Sequence, residues 1–214
     1  MKKILLYILV VCSSANVNAQ FKKGFGFTTG SWGSGFHFMG DWELRETLFS
    51  GFEIRFLDVK NDGEIPVTNY YTGQTYNIGD DALIMFPAFA KIRYLPFEGK
   101  IANNFSPFVE LKVGVNYAID GNGNARTFRG RWRNSTGYTS LGGQVVAGVN
   151  FPQINGTSII TSFGYETLPM TQKIDGRNNY DGITMSISYI FYTLSKNFLY
   201  YIVLFFDHDY QLLD

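Results

Sequence analysis

A chain of 214 residues with 18 basic and 18 acidic side chains carries no net charge, so no global field is available to gather nucleic acid or an acidic partner. Charged residues make up 17%, hydrophobic residues 45% and aromatics 17%, with 23 glycines; this composition suits β-structure with a lipid-facing or aromatic-rich surface. The single cysteine, Cys12, falls in a segment that reads as cleaved, which removes disulfides, cysteine nucleophiles and thiolate metal sites from the mature chain.

Residues 1–19 read as a secretory signal peptide. Lys2 and Lys3 precede an apolar run from Ile4 to Val11; Ser13, Ser14 and Ala15 follow, and Val17-Asn18-Ala19 offers a small residue at the cut before Gln20. The apolar run is too short to cross a bilayer. Acylation at Cys12 would need a small residue where Val11 stands.

From there on, segments with two unlike faces recur at a period of two, the mark of strands. Phe25 and Phe27 alternate with Gly24, Gly26 and Thr28 in the first, and 31–35 is a tight connection. The second sets Phe36, Phe38, Trp42 and Leu44 against His37, Asp41, Glu43 and Arg45; the third sets Phe52, Ile54 and Phe56 against Glu53 and Arg55. A long polar connection over 60–81 has room for a short hairpin around Tyr70 to Tyr76. The fourth strand, Leu83 to Leu95, is the least regular. Its second half opposes Ala90, Ile92 and Tyr94 to Lys91 and Arg93, and Pro87 predicts a bulge or a strand end.

The fifth strand alternates Val109, Leu111, Val113, Val115 and Tyr117 with Glu110, Lys112, Gly114 and Asn116. A second long loop spans Asp120 to Gly137. The sixth strand opposes Leu141, Val145, Val149 and Phe151 to Ser140, Gln144, Gly148 and Asn150, and 152–156 turns tightly. The seventh opposes Ile159, Thr161, Phe163 and Tyr165 to Ser162, Gly164 and Glu166, and 169–181 is a third polar loop. The eighth, Gly182 to Phe191, is the clearest: Ile183, Met185, Ile187, Tyr189 and Phe191 face one way, Gly182, Thr184, Ser186 and Ser188 the other, with Ile190 the exception.

Eight strands, joined by short connections after the second, fourth and sixth and long ones after the third, fifth and seventh, form the layout of a membrane-spanning barrel. The expected fold is therefore all-β: an eight-stranded antiparallel transmembrane β-barrel over 20–191, with apolar side chains toward lipid and small polar ones toward the lumen. A C-terminal extension, 192–214, carries an apolar run from Phe198 to Phe206 that lacks alternation and is too short for a spanning helix.

The last strand, ending on the aromatic Phe191, resembles the closing strand of bacterial outer-membrane barrels, whose assembly signal ends in an aromatic residue. The whole of 21–191 resembles the small eight-stranded barrels of the OmpA and OmpX type, and Ala19-Gln20 is similar to the processing sites of Bacteroidetes outer-membrane barrel proteins. The resemblance implies export to the outer membrane, insertion by the barrel assembly machinery, long loops outside and a monomeric barrel. No catalytic motif and no cofactor travel with it.

On the inward face, Asp41, Glu43, Glu53, Glu110 and Glu166 meet Arg45, Arg55, Lys91, Arg93 and Lys112. An eight-stranded barrel is only wide enough for side chains to fill it, and unpaired charges there would each cost several kcal/mol. These ten residues thus read as a salt-bridged plug, which points away from an open pore. In the second long loop, Arg126, Arg129, Arg131 and Arg133 cluster around Phe128 and Trp132 with no acid between Asp120 and the next strand. Guanidinium forks suit phosphate or carboxylate, so lipopolysaccharide or an acidic glycan is the partner this loop would take. The plainer reading is a solvated loop paired with Asp80, Asp81 and Asp175.

Asp120-Gly-Asn122-Gly-Asn124 opens like a calcium loop, but Ala125 replaces the turn glycine and Arg131 the bidentate glutamate, so no metal site is expected. His37 and Asp41 share the inward face, yet no Ser, His and acid spacing of a hydrolase accompanies them. A structural or surface-binding barrel, and not an enzyme, is the leading class. Transport of small solutes and modification of lipid A at His37 stand as alternatives.

Overall fold

The computed structural model describes residues 21–59, 65–78, 82–101, 104–121, 127–133, 135–174 and 177–192. The expected signal peptide and the extension after Tyr192 lie outside the described residues. In chain order the elements are β1 (Phe21–Gly30), β2 (Gly33–Arg45), β3 (Leu48–Val59), β4 (Ile65–Thr68), β5 (Thr75–Ile78), β6 (Ala82–Tyr94), β7 (Ser106–Gly121), α1 (Phe128–Trp132), β8 (Thr136–Pro152), β9 (Ser158–Thr167), β10 (Pro169–Ile174), β11 (Arg177–Asn179) and β12 (Gly182–Tyr192).

Eight of these close into an antiparallel barrel in the order β1-β12-β9-β8-β7-β6-β3-β2. The seam joins the first strand to the last, from Lys22 opposite Tyr192 to Gly30 opposite Thr184. Closure leaves no strand edge with unpaired backbone groups, which is what a sheet in hydrocarbon requires. The eight barrel strands are the eight read from alternation. Along β7, Val109, Leu111, Val113 and Val115 are 51, 55, 57 and 47% exposed, whereas the intervening Glu110 and Lys112 are 4 and 3% exposed. In water that arrangement would be inside out; with lipid as the outer solvent, both faces are satisfied.

Pro87 makes neither a bulge nor an end. Ile54 opposite Ala88 and Leu57 opposite Met85 keep one register, with a gap in the β3 ladder at the intervening pairs, while Pro87 stays paired with Asn116 of β7. Residues of an antiparallel strand bond alternately to its two neighbours, so a missing N–H interrupts only one side.

The interior has three layers. Val59, Leu83, Met85, Phe89, Ala118, Leu168, Ile174 and Tyr180 form an apolar cluster at the rim of the long loops. A second cluster, Met39, Leu95, Phe108, Val146, Ile160 and Ile190, fills the rim of the short turns. Charged side chains occupy the level between them. The segment 169–181, expected to be a polar loop, instead contains the hairpin β10–β11, whose Ile174, with the flanking Leu168 and Tyr180, packs into the loop-rim cluster. Thr171, Gln172 and Lys173 are exposed, so the hairpin's polar content hid its fold. The connection between β3 and β6 contains the hairpin β4–β5.

Candidate functional site

The inward-facing charges come together as one connected network. Asp41 on β2 meets Lys91 at 2.9 Å and Arg93 at 3.0 Å, both on β6. Glu110 on β7 meets Arg93 at 2.7 Å, Lys112 at 3.2 Å and Lys91 at 3.7 Å. Lys112 continues to Glu53 at 2.7 Å, Glu53 to Arg55 at 2.5 Å, and Arg55 crosses to Glu166 on β9. Four acids and four bases therefore neutralise one another, each nearly fully buried. Arg55 also donates to Gln144 of β8, which donates in turn to Thr184 of β12. The guanidinium groups of Arg55 and Arg93 lie over Phe89 and Phe108, at 5.1 and 4.8 Å from the ring centroids, so aromatic faces cover the charge layer from both apolar clusters.

Two residues of the expected plug do not join it. Arg45, the last residue of β2, is exposed, and Glu43 pairs instead with Lys22 of β1 at 2.8 Å, partly exposed near the turn rim. Alternation along β2 assigns both to the inward face, but Glu43 lies beyond the level of the charge layer, and the register with β3 shifts between Glu43 and Arg45, which breaks the alternation before Arg45.

His37 stands beside this network, opposite Arg55 in the β2–β3 ladder. Its Nδ1 lies 2.8 Å from Thr28 Oγ1 of β1 and its Nε2 2.8 Å from Ser188 Oγ of β12. Asp41, its expected acidic companion, belongs to Lys91 and Arg93. A Ser beside a His is the start of a nucleophile–base pair, yet both are buried. Gly26 stands against the imidazole so closely that an added Cβ would come within 2.6 Å of the ring and 2.3 Å of the Ile187 carbonyl. The geometry places these groups as a hydrogen-bonded strut joining β1, β2 and β12.

At the loop rim, Trp32 donates its indole N–H to the Asp181 carbonyl and stacks edge-on against Tyr180, with the Arg177 guanidinium 4.2 Å from its ring centroid. Asp181 also accepts from Thr167 Oγ1 at 2.8 Å and from the Leu168 N–H at 3.0 Å. These contacts hold both ends of the β10–β11 segment over the barrel mouth.

The arginine loop is partly helical. Thr127 caps α1 by accepting from the Gly130 N–H at 3.1 Å, and Trp132 packs on Gly121 at the end of β7, where an added Cβ would meet its ring at 2.9 Å. Arg129 and Arg133 are exposed and four residues apart on one side of the turn; Arg131 is half-buried and points elsewhere. Arg126 lies outside the described residues, as do Asn122, Asn124 and Ala125 of the calcium-like stretch and Asp80, Asp81 and Asp175.

No protein-family model matches the chain, and no curated protein matches it in sequence. Solved structures do match in fold. Neisserial surface protein A (NspA) is 12% identical, with a TM-score of 0.55 over 81% of this chain and 96% of its own. A major outer membrane protein from Thermus thermophilus is 12% identical, with a TM-score of 0.52 over 81% of this chain and 100% of its own. The fold is that of the small eight-stranded outer-membrane barrels.

Proposed function

We propose that the chain is an integral outer-membrane barrel whose lumen is closed, and that its outer loops do its work at the cell surface. The observation that carries this reading is the continuous network from Asp41 to Glu166, lying between two apolar layers with no strand of the wall left out of the hydrogen-bonded interior. A solute would have to break several buried ion pairs to pass, and each uncompensated charge would cost several kcal/mol. Such a barrel serves as a rigid mount for loops. The direct experiment is conductance of the purified chain in planar bilayers, where the closed-lumen reading expects none.

The surface activity supported best is binding of an anionic polymer or headgroup by the loop between β7 and β8. Arg129 on α1 and Arg133 at its C-cap are both exposed and four residues apart, while Trp132 fixes the helix to the end of β7. Two guanidinium forks on a fixed support suit phosphate or carboxylate groups such as those of lipopolysaccharide or an acidic glycan. Binding of purified barrels to these polymers across a salt series tests it. Two alternatives have weaker support. Transport would require the charge layer to rearrange, and lipid A chemistry would require the buried His37 and Ser188 to reach a substrate.

A further inference from the structure

The hairpin β4–β5 carries two tyrosines that no fold requirement explains. Tyr70 and Tyr71 are each 94% exposed, while their rings meet edge to face with centroids 5.8 Å apart at 88°. The turn beneath them is built without either side chain. Asn69 Oδ1 accepts from the N–H groups of Tyr71 at 2.9 Å and Thr72 at 3.3 Å, the Asn69 carbonyl accepts from Gly73 at 2.9 Å, and Asn69 N–H donates to Gln74 at 2.8 Å. Gly73 supplies the left-handed residue, φ 65°, that lets the chain return. Thr68 and Thr75 join their hydroxyls across the base at 3.2 Å. The tyrosines are thus held outward by a structured turn.

We infer that this tip is a binding site for a neutral polysaccharide. Three features select that class of ligand. First, no acidic or basic side chain occurs from Ile65 to Ile78, so the tip offers nothing to a charged polymer. Second, tyrosine presents a rigid, amphipathic surface at low entropic cost, and its electron-rich ring face attracts the partly positive C–H face of a pyranose. Two rings at right angles offer faces to successive sugars of a bent chain, and the adjoining Thr72 and Gln74 have side-chain donors and acceptors suited to sugar hydroxyls. Third, a stable folded partner needs about 800 Å² on each side, more than a narrow hairpin tip supplies.

The site lies on a different loop from the arginines and takes a different chemistry, so it stands or falls separately from anion binding there. The test uses the full mature chain in detergent micelles against immobilised laminarin, dextran and mannan, with heparin as the anionic comparison. The expected result is binding to at least one neutral polymer, unchanged between about 0.05 and about 0.5 M salt, because screening acts only on charge. Tyr70→Ala with Tyr71→Ala should weaken it at least about tenfold, whereas Tyr70→Phe with Tyr71→Phe, which keeps the ring faces, should stay within about threefold. Heat-modifiable migration confirms that each variant's barrel is intact, and replacing the loop arginines by Gln should leave neutral binding unchanged. Failure to bind any neutral polymer, equal binding by the double-alanine variant, or binding confined to heparin and lost with salt would overturn the inference.

Discussion

Arg55 and Glu166 bond to each other from opposite sides of the barrel: β3 and β9 are four strands apart whichever way the wall is followed, β9-β8-β7-β6-β3 or β9-β12-β1-β2-β3. The pair is therefore a tie across the interior, and Arg55 reinforces it through Glu53 and Gln144. Replacing Arg55 by Met leaves the buried Glu166 without its ion-pair partner, while Glu53 keeps Lys112. The expected loss is about 3–5 kcal/mol of unfolding free energy, read from urea titration of the folded, heat-modifiable form in micelles. Adding Glu166→Gln to the same chain should recover most of that loss, since Asp41, Glu53 and Glu110 then balance Lys91, Arg93 and Lys112.

Arg45 and Arg93 provide the contrast. Both lie on the face that alternation assigns to the lumen, but Arg45 is exposed and Arg93 binds Asp41 and Glu110. In the same titration Arg45→Gln should change stability by no more than about 0.5 kcal/mol, and Arg93→Gln should cost about 3 kcal/mol or more. Equal effects would mean that the charge layer extends to the rim.

The difference between those arginines marks how far the sequence can be read. Alternation assigns a side chain to one face and says nothing of its depth, so by pattern alone Glu43 and Arg45 are equivalent to Asp41. The strands are legible because Phe36, Phe38, Val109 and Leu111 are exposed on the outside of the wall while His37, Glu110 and Lys112 are buried inside it. Near the loop rim the pattern fades: Leu83 and Met85 face an apolar interior while Ile84 and Phe86 face out, so both faces of early β6 are greasy. The short helix α1 has too few turns to show a period, and its cap, Thr127, is one hydroxyl among many loop residues. The contact of His37 with Ser188 joins residues 151 positions apart and exists only because the first and last strands meet at the seam.

Gly26 should be intolerant of any side chain. A Cβ there would press on the His37 ring and the Ile187 carbonyl, so Gly26→Ala is expected to destabilise the barrel by about 1–3 kcal/mol, the usual cost of overfilling a packed interior. His37→Ala in the same chain relieves the contact with the ring but not that with the carbonyl. Partial recovery in the double variant, measured by thermal loss of heat-modifiable migration, is the expected outcome.

For the loop between β7 and β8, Arg129→Gln with Arg133→Gln should remove more binding to lipopolysaccharide or an acidic glycan than Arg131→Gln alone, because Arg129 on α1 and Arg133 at its C-cap are exposed and Arg131 is half-buried. Binding by the wild type should fall as salt rises, since exposed charges are screened over about 8 Å at physiological ionic strength. Lysine at Arg126, Arg129, Arg131 and Arg133 should restore only part of what Gln removes, because Lys keeps the charge and loses the fork. Equal binding by wild type and Gln variants across the series would leave this loop as solvated polypeptide.

The central claim is that the interior of this barrel is sealed by its own charges, and conductance of the purified chain in planar bilayers tests it most directly. The account predicts a quiet baseline at every holding potential that leaves the bilayer intact, and the same baseline after deletion of β10–β11, because the charge layer lies beneath the hairpin. A steady open channel of porin size in the wild type would contradict it.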